Sequence, residues 1–137
     1  MSYWLIKTEP TVYSWEQLMK DKSTTWTGVR NYQARNNVRA MKPDDFVFIY
    51  HSGDERTVVG VAKVTLEPKA DPSAVSGDWS SVDIEAVAPL VRPVTLDEIK
   101  YTHILAVMPL ITHTRLSVQP VTDAQAEMLL KIGKTTL

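Results

Sequence analysis

Apolar residues recur along this 137-residue chain in short blocks, and the spacing within each block predicts an element. The run YWLIK, residues 3–7, is short and almost wholly apolar, which predicts a buried strand. Glu9-Pro10 ends it. Ser14 then precedes WEQLMKD, with Gln17 three positions on. This is the capping-box spacing, in which two side chains satisfy free amides at a helix start. Trp15 and Leu18 of that helix should face the core. Residues 26–41, WTGVRNYQARNNVRAM, read as a loop followed by a helix. Gly28 permits a tight turn or a close backbone approach. Asn31 stands where the helix cap belongs. Ala34, Val38 and Met41 recur at helical spacing as an apolar stripe, and Arg35 and Arg39 share the face beside it. The turn Lys42-Pro43-Asp44-Asp45 stops the helix.

Residues 46–51 (FVFIYH) and 58–66 (VVGVAKVTL) are β-rich, and the polar SGDERT between them predicts a hairpin. Gly60 inside the second run marks a bulge or a barrel corner. Residues 67–80 form a loop rich in Pro, Ser and Asp, after which SVDIEAVAPL alternates as a further strand. Thr95 and Glu98 make a second capping box before a short helix. In RLSVQP, residues 115–120, the polar Arg115, Ser117 and Gln119 alternate with Leu116 and Val118, so a strand there presents the three on one face. Pro120 ends it. Thr122 with Gln125 caps a last helix in which Met128, Leu129 and Ile132 pack. No internal repeat, low-complexity tract or linker interrupts the pattern. The elements sum to one mixed α/β domain over residues 1–137, a small curved sheet with helices at its rims.

Composition narrows the function classes. The chain has no cysteine, which excludes disulfides, thiolate zinc sites and a cysteine nucleophile. No stretch approaches the ~20 apolar residues of a membrane span, and MSYWLIKTEP has no signal-peptide run, so a soluble, cytoplasmic, monomeric domain is expected. The formal net charge is −1, yet residues 26–42 hold four of the 15 Lys and Arg and none of the 16 Asp and Glu. Such a patch is either a solvated helix face or a local field that steers an anion to one side of the molecule.

The common catalytic signatures are absent: there is no GxGxxG, no phosphate loop, no GxSxG and no HExxH. His51, His103 and His113 lack metal-ligand spacing. Neither a catalytic set nor a metal or cofactor is therefore expected. His51 and Ser52 are adjacent on a strand and point to opposite faces, so His51 reads as a hydrogen-bonded structural residue. Asp44-Asp45 reads as a turn. Trp26 and Trp79 both stand in polar, loop-like surroundings. Each either plugs the core or offers an indole face on which a nucleobase gains ~1–3 kcal/mol by stacking.

Taken in order, YWLIKTEPTVYSWEQL, WTGVRNYQARNNVRAMK, FVFIYHS, VVGVAKV, DWSSVDI and RLSVQPVT resemble the successive blocks of the EVE domain, from residue 3 to about residue 130. WxGVRNxxAR combined with YHS and RLSVxPV carries the resemblance. It implies a PUA-like pseudo-barrel, similar to the YTH domains that hold a methylated adenine in an aromatic cage. It also implies a non-catalytic module that reads a C5-modified cytosine in DNA or RNA. In that frame Trp26 matches a cage wall and Trp79 is the second wall. Gly28 lets the backbone approach the base, and Asn31, Tyr32, Ser117 and Gln119 read its edge. Arg30, Arg35, Arg39 and Arg115 hold phosphates, with at least two of the first three exposed on the pocket side rather than in internal ion pairs. The family often has Gly-Asp where this chain has Asp44-Asp45, and Asp tolerates the left-handed geometry of such a turn. Two other classes stand beside the reader: an enzyme acting on a small nucleotide or modified nucleoside, and a protein-interaction domain.

Overall fold

The computed structural model describes residues 1–137, in which the apolar blocks become seven strands and five helices. In chain order these are β1 (Tyr3–Thr8), α1 (Trp15–Asp21), β2 (Ser23–Trp26), α2 (Tyr32–Ala40), β3 (Phe46–His51), β4 (Thr57–Val64), β5 (Lys69–Ala70), β6 (Ser80–Thr95), α3 (Leu96–Lys100), α4 (Pro109–Thr112), β7 (Val118–Val121) and α5 (Asp123–Ile132). The strand order is β2-β6-β4-β3-β1-β7, with β5 paired to β6. Only β1 and β3 run parallel; the other pairs are antiparallel.

The sheet curves but does not close, because β2 and β7 are its two ends. Helix α2 packs against both β7 and β6 and so joins the two sides of the gap. Asn37 Nδ2 donates to Val118 O at 2.8 Å, and Arg39 Nε donates to Ser80 Oγ at 2.7 Å. The mixed α/β pseudo-barrel is thus completed by side chains of one helix. Register shifts between β3 and β4 at Ile49/Tyr50, and between β4 and β6 around Gly60, bend the strands as bulges do. Gly60 has a second reason to be glycine: a Cβ there would overlap the Trp15 ring.

Both faces of the sheet are covered. Trp4, Ile6, Val47, Ile49, Val82 and Ile84 pack with Trp15 and Leu18 of α1 and with Ala34 and Val38 of α2. Leu5, Phe48, Val61 and Val94 pack on the opposite side with Ile99, Leu105, Met108, Ala126 and Leu129. Burial on both faces accounts for a first strand that is apolar at consecutive positions.

Several local expectations are corrected. The capping box at α1 forms by half: Ser14 Oγ accepts from Gln17 N at 3.0 Å, but the Gln17 amide turns to Asp21. The boxes at Thr95/Glu98 and Thr122/Gln125 are complete. Trp26 is the last residue of a strand, paired with Val82 of β6, rather than part of a loop. The strand expected at 115–120 begins only at Val118, with Arg115 in a turn and Ser117 in a bend. Pro120 lies inside it, which an edge strand tolerates because one side of its backbone needs no partner.

Candidate functional site

The ends of β1 and β2 meet the turn before α1 around an open cavity of about 490 Å³. Trp26 closes β2 and is half-buried, with part of its ring against the core and part on the cavity. Tyr13 meets that ring edge-on, with centroids 5.7 Å apart and an 83° angle between planes. Thr24, Thr25 and Thr27 add hydroxyls from the same strand and its exit. Lys7 and Glu9 add a cation and a carboxylate from the polar end of β1, and Ser117 approaches from the segment before β7. A cavity of this size suits a small planar ligand held by an aromatic face and a few polar groups.

Hydrogen bonds fix these groups. Lys7 Nζ donates to Thr114 O at 2.6 Å, and burial lowers the pKa of its ammonium. The Tyr13 hydroxyl donates to Asp21 Oδ2 at 2.8 Å. Burial first, then that bond to the carboxylate, raises the phenol's pKa. Thr8 Oγ1 donates to Tyr13 O at 2.7 Å, and Ser52 Oγ to Glu9 Oε1 at 3.2 Å.

The rim at Gly28 is held from a distance. Gly28 has φ +84°, and a Cβ there would meet nothing within 4 Å, so backbone conformation rather than space calls for glycine. Its N–H donates to Asp71 Oδ2 at 2.9 Å. The same oxygen accepts from Arg30 Nη1 at 2.9 Å, while Oδ1 accepts from the Ser73 amide and hydroxyl, each at 2.7 Å. Burial alone would raise the Asp71 pKa. The bonds from the Ser73 hydroxyl, Arg30, the Gly28 amide and the Ser73 amide outweigh it and hold the carboxyl well below the usual carboxylate range.

The structure gathers only some of the expected residues. Trp26, Gly28 and Ser117 line the cavity. Asn31 does not; its Oδ1 accepts from Ala34 N at 2.9 Å as the cap of α2, and it borders a separate groove with His113 and the exposed Arg115. Tyr32 and Trp79 lie outside the cavity, stacked on each other with centroids 5.1 Å apart and planes 19° apart. Trp26 and Trp79 thus do not line one cavity, and the ring that meets Trp26 is Tyr13. Gln119 is fully buried rather than on a polar wall. It pairs in register with Leu5, and its Oε1 has no partner.

The arginines are also placed differently. Arg30 pairs with Asp71 at 2.9 Å, Arg39 with Asp78 at 2.6 Å, and Arg35 lies 3.9 Å from Asp78. All three thus have acidic partners in the 67–80 loop, which folds back over the acid-free segment, while Arg30 and Arg39 remain exposed as expected and Asp78 is itself on the surface. Asp44 adopts φ +75°, as a left-handed turn requires. Asp45 accepts from Ser2 N, Trp4 Nε1 and Lys42 N. His51 is structural: Nε2 accepts from Trp15 N at 2.9 Å, which leaves the proton on Nδ1, facing Glu55 at 3.2 Å.

Sequence reasoning missed Lys7, Glu9, Tyr13, the threonines and Asp71. Two signals were present. Lys-Thr-Glu is a polar end on an otherwise apolar strand, and Asp71-Pro-Ser is a side-chain turn motif.

Residues 2–132 match the family model described as the EVE domain. The chain belongs to the EVE domain family. Among relatives of this EVE domain, mouse thymocyte nuclear protein 1 is 36% identical over 168 residues, spanning 98% of this chain and 74% of the relative. A crystal structure of an Agrobacterium tumefaciens protein is 43% identical, with TM-score 0.94 over 98% of this chain and 94% of that one. The human THYN1 protein, solved in complex with DNA containing 5-methylcytosine, is 33% identical with TM-score 0.89 over 100% of both chains.

Proposed function

We propose that this EVE domain is a non-catalytic binding module that takes a C5-modified cytosine of DNA into the Trp26 cavity. The observation that carries the reading is the half-buried Trp26 ring, one wall of a cavity rimmed by hydroxyls, Lys7, Glu9 and the open flank of Gly28. A base that enters must leave its stack, which costs a few kcal/mol. Stacking on Trp26, about 1–3 kcal/mol, together with edge hydrogen bonds offsets that cost. Glu9 supplies an acceptor of the kind that suits the cytosine amino group, and Lys7 and the threonines supply donors for its ring nitrogen and carbonyl. The human relative solved with 5-methylcytosine DNA supports the same ligand class.

The absence of turnover is part of the proposal. His51 has both ring nitrogens occupied, and the Ser52 hydroxyl is directed to Glu9. One observation favours a second reading, an enzyme on a modified nucleoside: Lys7 has a lowered pKa in a cavity that also holds hydroxyls. Chromatography of modified nucleosides incubated with the protein separates the two, because a binding module returns them unchanged. The direct test is titration of matched DNA and RNA strands carrying cytosine, 5-methylcytosine or 5-hydroxymethylcytosine, at one stated salt concentration. Modified DNA should bind tightest, and equal affinity for modified and unmodified strands overturns the reading.

A further inference from the structure

We propose that the Tyr32–Trp79 pair is a second, sequence-tolerant stacking platform for a base next to the one held in the cavity. The proposal rests on the base-reading function and extends it to the strand around that base. The two rings are stacked at 5.1 Å, yet Tyr32 remains 66% exposed. Stacking on Trp79 takes one face of the Tyr32 ring, and the residue as a whole stays open to solvent. Guanidinium groups surround the pair. Arg35 lies 5.1 Å from the Tyr32 centroid and 6.0 Å from that of Trp79, and Arg30 lies 5.6 Å from Trp79. Planar rings among guanidinium groups form a surface on which any base can stack, because every base has a π-face.

Position favours a nucleic-acid strand as the occupant. Gly28 borders the cavity and Tyr32 follows four residues later, so their Cα atoms are at most about 14 Å apart. That is at most about four nucleotides of a stacked strand, which advances about 3.4 Å per nucleotide, and fewer of an extended one. The cavity rim and the platform also share a support. Asp71 holds the Gly28 amide and the Arg30 guanidinium on one oxygen, and Arg30 in turn covers Trp79. Three arginines here meet two aspartates, leaving the surface net positive, as an anionic strand requires.

The test compares two probes: a single-stranded DNA of about twelve nucleotides with one central 5-methylcytosine, and the nucleoside 5-methyl-2′-deoxycytidine. Tyr32→Ala should bind the strand about ten-fold more weakly than the wild type and the nucleoside equally well, while Tyr32→Phe stays close to the wild type. An abasic site on the correct side of the methylcytosine should remove the difference between wild type and Tyr32→Ala. Trp26→Ala, in contrast, should weaken both probes. If Tyr32→Ala binds the strand like the wild type, or weakens strand and nucleoside alike, the platform is wrong. If the wild type ignores the methyl group but Tyr32→Ala still loses strand affinity in the abasic-sensitive way, the base-reading function fails and the platform stands.

Discussion

The Trp26 ring spends part of its surface on the core and part on the cavity, and that division sets what its removal should do. Trp26→Ala should weaken binding of a 5-methylcytosine strand by about 1–3 kcal/mol, roughly ten- to a hundred-fold. Its cost in stability should fall below the ~3–5 kcal/mol of deleting a fully buried tryptophan. Trp26→Phe should lose less on both counts. Fluorescence titration and denaturant unfolding of the same samples read the two numbers, and a folded alanine variant with unchanged affinity removes the cavity from the mechanism. Gly60 is the complementary case. Its neighbour is the face of Trp15, so Gly60→Ala forces the ring or the β4 bulge to shift. Overpacking of this kind costs about 1–3 kcal/mol. Unfolding midpoints should drop while strand affinity, measured where the variant is folded, stays within two-fold; a large affinity loss would instead tie the bulge to the cavity.

The loop from β5 to β6 acts through one side chain. Asp71 is buried and accepts four hydrogen bonds, from Gly28, Arg30 and twice from Ser73. Its folded-state pKa is depressed, so its ionised form contributes stability that is fully present above the unfolded value near 4. That contribution is lost as pH falls from there toward the folded value. Wild-type unfolding free energy should therefore decline between about pH 5 and pH 2 more steeply than that of Asp71→Asn, and parallel pH profiles would show that Asp71 is not the linked group. Asp71→Ala should cost about 2 kcal/mol at neutral pH, discounted for the partly exposed Arg30. The loop and its Asp71-Pro-Ser turn were legible in the sequence, but what Asp71 reaches was not. Gly28 and Arg30 lie about 40 residues away, and period or composition cannot show which acids an acid-free segment will find. Elements written in local chemistry were legible: the β3–β4 hairpin, the α2 stripe with its Asn31 cap, and the boxes at Thr95 and Thr122. Short strands decided by pairing were not. β2 owes its conformation to β6, and Gln119 is buried because both faces of the sheet beside its partner Leu5 are covered. The family blocks led to Trp26 and Gly28, but they could not tell the edge-on Tyr13 from Trp79, which stacks on Tyr32 outside the cavity.

At the scale of the whole molecule, the cations of α2 serve two demands that compete. The sheet ends at β2 and β7, and α2 joins its two sides through Asn37 and Arg39. Arg39 and Arg35 meanwhile reach Asp78, and Arg30 reaches Asp71. Guanidinium groups engaged in this way hold the loop over the helix, and a strand that uses them must compete with those surface ion pairs. Arg115, exposed in its turn before β7, has no such partner among the ion pairs. Counterion release makes this arrangement measurable. Four arginines on phosphates of duplex DNA would give a slope of log affinity against log salt of about −3 to −4. A protein that spends three of them internally should show about −1 to −2. Asp78→Ala frees Arg35 and Arg39 from their carboxylate while leaving the Asp78 carbonyl that both also contact. The loop should therefore stay in place, and the slope should steepen by up to about one per arginine released. A wild-type slope already near −4, or one that Asp78→Ala leaves unchanged, would mean that the strand displaces these ion pairs on binding and that the arginines hold phosphates after all.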